Sequence, residues 1–236
     1  MHIFAKDRTL YEKIQLSITH LLRLTLAIAI FFEIINQRWT LLFSTVLILM
    51  ITFIPLIVEK KYKIHLPVEF TFGIIVFIYL SLFLGSVRKY YIYFWWWDGL
   101  LHTGSGITLG FAGFIILYML YRSRKMKANP FWFALFSFFF AIGIGALWEI
   151  FEFGMDQIFG MNMQETGLVD TMWDLIVDSL GALLVAVVGF FYFKYERESL
   201  FSRLLNKFIK SNPRFFSKMQ KQKTYKYQKI QNNKHK

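Results

Sequence analysis

The sequence predicts an all-α fold, a polytopic transmembrane helix bundle of about six spans, on three observations. Of its 236 residues, 56% are apolar, 20% aromatic and only 18% charged; a soluble domain is nearer half apolar and about a quarter charged. The apolar residues gather into long runs, and a hydrocarbon core of about 30 Å takes roughly 20 helical residues to cross. No stretch shows the period-2 alternation of a barrel strand, and only helices or closed barrels satisfy their backbone in lipid. Four prolines and no cysteine argue against a disordered chain, a disulfide scaffold and any Cys-ligated metal or Cys nucleophile.

Taken in order, residues 1–13 read as an N-terminal arm carrying Lys6, Arg8 and Lys13. The transmembrane domain, 14–193, opens with a span over Ile14–Ile35 that is too long for a cleavable signal, carries Arg23 and Glu33, and has no A-x-A site after it. Arg23, three residues from His20, is expected to snorkel to the inner interface; Glu33 lies near the outer end and is a lesser candidate for an acid pocket. The second span is Trp39–Val58 and the third Leu66–Val87, where Phe72–Leu84 has almost no polar face and Glu69 sits solvated near the inner boundary. The fourth, Trp95–Tyr121, enters through a Trp95-Trp96-Trp97 belt and carries Gly99, Gly104, Gly106, Gly110 and Gly113. The fifth is Phe131–Phe153 and the sixth Leu168–Phe193, with Gly143, Gly145 and Gly181 as further sites for close helix approach.

Orientation follows from the basic residues between spans. One side collects 23 Lys/Arg from the arm, the second and fourth connections and the tail; the other has Arg38, Arg88 and Lys89. Both termini are therefore expected on the cytoplasmic side of a bacterial cell membrane. The net charge of +12 is mostly this topology signal, so no nucleic-acid partner is expected. In the tail, 194–236, Leu200, Phe201, Leu204, Leu205, Phe208 and Ile209 share one helical face, the pattern of a helix lying in the inner headgroup layer. Beyond Ser211 come eight Lys/Arg and no acid, interleaved with Phe215, Phe216, Tyr225 and Tyr227. That composition suits an anchor on anionic lipid, with a docking arm for RNA or a cytoplasmic partner as the lesser alternative.

Ionisable residues in spans are costly and default to functional suspects. Asp98 and His102 are four apart and share a face. Glu149, Glu152 and Asp156 do so on the fifth span, and Asp170, Asp174 and Asp178 form an i, i+4, i+8 stripe on the sixth. Seven of the chain's fifteen carboxylates and one histidine are thus delivered to the outer ends of three helices. Like charges raise one another's pKa, so either protons are shared or a cation sits among them. Asp98, His102, Asp170, Asp174 and Asp178 are the candidate metal ligands, for Mg²⁺, Mn²⁺ or Zn²⁺; Glu149 and Glu152 are the candidate catalytic carboxylates. The positive-inside rule permits such acids without a function, and decoration is the competing reading. No phosphate-binding glycine loop, nucleophile elbow or H-E-x-x-H motif is present.

Trp97-Asp98-x-x-Leu101-His102, Glu149-x-x-Glu152 and Asp170-Thr171-x-x-Asp174-x-x-x-Asp178-x-x-Gly181-Ala182 resemble the YjdF-type family of uncharacterised bacterial inner-membrane proteins. More distantly they are similar to VanZ-like proteins, whose pattern is Asp-Lys-x-x-His, Glu-x-x-Gln and Arg with Asp-x-x-x-Asn-x-x-Gly. Asp98, His102, Glu149, Asp174 and Gly181 match it, whereas Gly99, Glu152 and Asp178 replace the Lys, Gln and Asn. The likeness covers about residues 90–195 and implies a cell-envelope role.

Three functions stay open. The first is a metal-dependent hydrolase or transferase acting on a phosphorylated or lipid-linked envelope substrate. In it His102 and Asp98 serve as ligand and orienting partner, Glu149 as base, and Asp174 and Asp178 as further ligands. The second is a proton- or cation-coupled transporter with the carboxylates as relay; the third is a non-enzymatic membrane partner protein. A relay needs polar groups across the whole membrane, and the inner halves of spans four to six are nearly bare of them, which favours a pocket.

Overall fold

The computed structural model describes residues 9–122, 128–164, 166–195 and 200–213. Among them there is no strand. Six helical stretches are long and apolar enough to cross a membrane: Leu10–Ile35, Trp39–Tyr62, Val68–Val87, Trp97–Tyr121, Pro130–Phe159 and Leu168–Tyr195. They coincide with the six expected spans to within a few residues at most ends. Residues 1–8 and the basic tail beyond 213, with Phe215, Phe216, Tyr225 and Tyr227, lie outside the described residues. The chain divides into two compact units, 1–101 and 102–236.

In the first unit, α1 (Leu10–Ile35) starts at a capping box. The Glu12 amide donates to Thr9 Oγ1 and the Thr9 amide to Glu12 Oε2, so two of the amides orphaned at a helix start are satisfied reciprocally. The second span is broken into α2 (Trp39–Ile51) and α3 (Ile54–Tyr62). Pro55 causes the break, because it lacks the N–H that would continue the ladder and its ring clashes with the preceding turn. Arg23 repairs the gap: its guanidinium donates to the Thr52 carbonyl at 2.7 Å and to Thr52 Oγ1 at 3.1 Å, and lies over the Phe53 ring at 4.2 Å. The expectation that Arg23 snorkels to the interface is therefore corrected; a freed carbonyl inside a span is a stronger claim on its donors. Glu33 is buried and accepts from Thr45 Oγ1 on α2 at 3.1 Å.

The third span changes its winding midway. After α4 (Val68–Ile78) the chain continues as a π-helix over Tyr79–Val87, ending where the Arg88 amide donates to the Phe83 carbonyl at 2.9 Å. A one-turn α5 (Tyr90–Tyr93) follows. Leu26, Ala29, Ile48 and Phe83 form the buried centre of this unit, where α1, α2, α4 and the π-helix meet.

The helix α6 (Trp97–Arg122) begins five residues before the boundary at 101 and runs on through the second unit. With it pack α7 (Pro130–Phe159), α8 (Leu168–Tyr195) and α9 (Leu200–Ser211). Asn129 caps α7 by accepting from the Trp132 amide, Pro130 supplies the fixed φ of a first helical turn, and Gly160 closes the other end at φ +63°. Lipid tails are as apolar as leucine, so no hydrophobic force draws these helices together; van der Waals fit must. Rings supply it at one end, where Phe133 stacks on Phe193 at 4.3 Å and meets Phe114 at 5.2 Å. The apolar face of α9, read above as lying in the headgroup layer, packs on protein instead. Phe201 meets Phe111, Phe114 and Tyr192, and Phe201, Leu205, Phe208 and Ile209 are all buried.

Replacing Arg23 with leucine strands the Thr52 carbonyl and Oγ1 in the span. The expected loss of stability is about 1–3 kcal/mol, measured as a lower unfolding midpoint in mixed micelles.

Candidate metal centre

Three glycines set the distance between the helices that carry the acids. A Cβ on Gly106 of α6 would collide with the Asp178 carbonyl of α8, and one on Gly181 of α8 would stand 2.5 Å from the Thr103 carbonyl of α6. A Cβ on Gly145 of α7 would stand 2.6 Å from Asp178 Oδ2. The two backbones of α6 and α8 thus touch, and the side chain of Asp178 fills the space that Gly145 leaves. Gly99, Gly104 and Gly143, expected to help in the same way, face open space.

That approach buries Asp178 to 2% exposure, where a carboxylate needs partners. Ser105 supplies one, donating its hydroxyl to Asp178 Oδ1 at 2.7 Å. The ring of His102 supplies the other, with Nδ1 3.3 Å from Asp178 Oδ2. With Nδ1–H donating to that carboxylate, Nε2 is left as the lone-pair nitrogen. Nε2 faces the buried Asp174, whose Oδ2 is 3.9 Å away. Asp98 sits one turn before His102 on the continuous α6, and Asp98, His102 and Asp174 each offer a ligand atom within 4.8 Å of the others. Atoms bound 2.0–2.2 Å from one ion stand about 3–4 Å apart, so this group fits a cation after a small contraction.

The arrangement has two shells. Asp98, His102 and Asp174 bring ligand atoms within 4.8 Å of one another, with Nε2 facing Asp174, while Asp178, held by Ser105, stands on the far side of the imidazole. A carboxylate behind a ligating histidine fixes its tautomer and raises its basicity. Asp170 is half-buried, in the first turn of α8, and is not in the converging group. Glu149 and Glu152 are buried on α7, and Glu152 Oε1 accepts from Trp148 Nε1 at 3.0 Å. Asp156 organises a loop: its two oxygens accept from the Met163 and Gln164 amides, and the Gln164 side chain donates to Thr171 Oγ1.

Ser105 and Trp148 escaped the sequence reading. Serine three residues after His102 carries a signal only once a buried carboxylate is known to lie opposite it. Trp148 reads as one more aromatic in an aromatic-rich span.

Residues 18–195 match the family described as predicted membrane protein, DUF2238. An uncharacterised protein of Thermotoga maritima is 30% identical over 141 residues, covering 58% of this chain and 69% of that protein. No solved structure matches the chain.

Gly181→Val should force α6 and α8 apart and cost about 1–3 kcal/mol, whereas Gly143→Ala, with open space around it, should be neutral or stabilising by up to about 1 kcal/mol. Unfolding midpoints of the two variants, side by side, test the helix contact.

Proposed function

The chain belongs to the DUF2238 family of predicted membrane proteins, and we propose that this member holds a divalent cation on Asp98, His102 and Asp174 and uses it on a phosphorylated or lipid-linked substrate of the cell envelope. The observation that carries the reading is the two-sided histidine: one ring nitrogen is turned to a buried carboxylate that is itself anchored, and the other is turned to Asp174, with Asp98 in the same group of ligand atoms. Charge supports it as well. No Lys or Arg occurs in 98–121, 130–159 or 168–193, the helical stretches that carry all seven acids. Buried carboxylates this close together raise one another's pKa, so neutralising this group takes shared protons or a cation. One imidazole with two carboxylates suits Mn²⁺ or Zn²⁺, with Mg²⁺ as the harder alternative.

A cation in that place supplies Lewis acidity, polarising a phosphoryl oxygen and acidifying water. Around it the chain's own groups divide the work. Asp178 and Ser105 keep His102 in one tautomer and one orientation. Glu149, buried on α7, is the proton acceptor in this reading, and Glu152 is oriented by its bond from Trp148. The excess of Lys/Arg on one side supports placing both termini in the cytoplasm and the centre at the outer face of a bacterial cytoplasmic membrane. The likeness to YjdF-type inner-membrane proteins agrees with that location.

The first test is the metal content of the full-length, detergent-purified protein. About one Mn²⁺ or Zn²⁺ per chain is expected in the wild type and none in His102→Ala or Asp174→Asn. Ser105→Ala should keep the ligands but weaken metal affinity by about 10–100-fold. Glu149→Gln should retain the metal and lose hydrolysis of phosphorylated lipid. A wild type that binds no divalent cation, with all variants equally stable, overturns the centre.

A further inference from the structure

The first unit has a cavity of its own, of about 640 Å³, between the C-terminal half of α1 and the π-helix. Pockets of about 300–1,000 Å³ are the ordinary size for small-molecule sites. Its walls are hydrocarbon, with Ile28 and Phe32 on one side and Phe83 on the other. At the deep end the Thr25 and Tyr79 hydroxyls are hydrogen-bonded to each other at 3.0 Å, so no polar group there calls for water. At the other end stands a single cation, Arg88, whose guanidinium lies over the Phe83 ring at 5.2 Å. Along α1 the cleft runs from Thr25 to Phe32, seven residues, or about 10 Å at 1.5 Å per residue.

The winding of the third span is what makes this a charged-mouth cleft. In an α-helix nine residues make two and a half turns, so position 88 would point away from position 79. A π-helix has about 4.4 residues per turn, so nine residues make two full turns. Tyr79, Phe83, Leu84 and Arg88 therefore line one cavity. π-Helices are rare and concentrate at functional sites; here the conformation brings a guanidinium onto the face of an apolar slot.

We infer that this cleft binds one anionic phospholipid of the bilayer, with an acyl chain between α1 and the π-helix and the phosphate on Arg88. Guanidinium matches phosphate bidentately, and Arg88 is exposed, with its guanidinium over the Phe83 ring. The slot takes hydrocarbon because its walls are apolar and its hydroxyls are already paired. A soluble anion would satisfy Arg88 and leave the slot unfilled.

Native mass spectrometry of the full-length protein in detergent, titrated with phosphatidylglycerol or phosphatidylcholine, tests the inference. One phosphatidylglycerol per chain is expected, held at least about tenfold more tightly than phosphatidylcholine. Arg88→Gln, at an exposed position, should abolish that preference, and the neighbouring Lys89→Gln should keep it. Ile28→Trp should weaken both lipids by filling the slot. Equal binding of the two lipids by the wild type, a preference that survives Arg88→Gln, or an equal loss in Lys89→Gln would each overturn it.

Discussion

The contact between the backbones of α6 and α8 governs the second unit. Gly106 and Gly181 let the two helices meet carbonyl to Cα, and that approach removes Asp178 from every solvent. Once buried, its carboxylate dictates what must surround it: a hydroxyl from Ser105, an imidazole from His102 and a glycine, not a side chain, on α7. The direction of His102 Nε2 toward Asp174 follows from that seat. A closely packed membrane interface and a polar centre are here one constraint, since in lipid the groups that stabilise a helix pair are the small residues and the hydrogen bonds between them.

The first unit meets the same rule by other means. Pro55 breaks a span and exposes a carbonyl, and Arg23 reaches across from α1 to satisfy it. A cation that looked out of place in an apolar helix answers a carbonyl 29 positions later, at the break before Pro55. Asp156 has a comparable fate at the end of α7, where it receives two loop amides. These three residues, Arg23, Asp156 and Asp178, show why a charged side chain in or near a span cannot be assigned from its own helix. Its partner decides whether it organises backbone, orients another side chain or faces a ligand.

The helical stripes did carry the location of the candidate centre. Asp98 with His102, and Asp174 with Asp178, were placed together by 3.6-residue periodicity and by the ends of their spans. What periodicity could not separate is the two carboxylates of α8, which lie one turn apart on one face. One stands at Nδ1 and the other at Nε2 of the same ring, and only the ring's position distinguishes them. The amphipathic pattern of α9 was read equally well, but a lipid surface and a protein surface present the same apolar partner to such a face.

By itself the sequence determined the class of fold, the six spans and the short list of acids and histidine, because hydropathy and period are properties of one segment at a time. Tertiary structure decided which glycines are contacts, which carboxylate backs the histidine, and that Arg88 shares a face with Tyr79. Those depend on distances between segments far apart in the chain and, for Arg88, on a change of helical winding. Neither is encoded in a run of residues read against a single period, since each arises only when one backbone meets another.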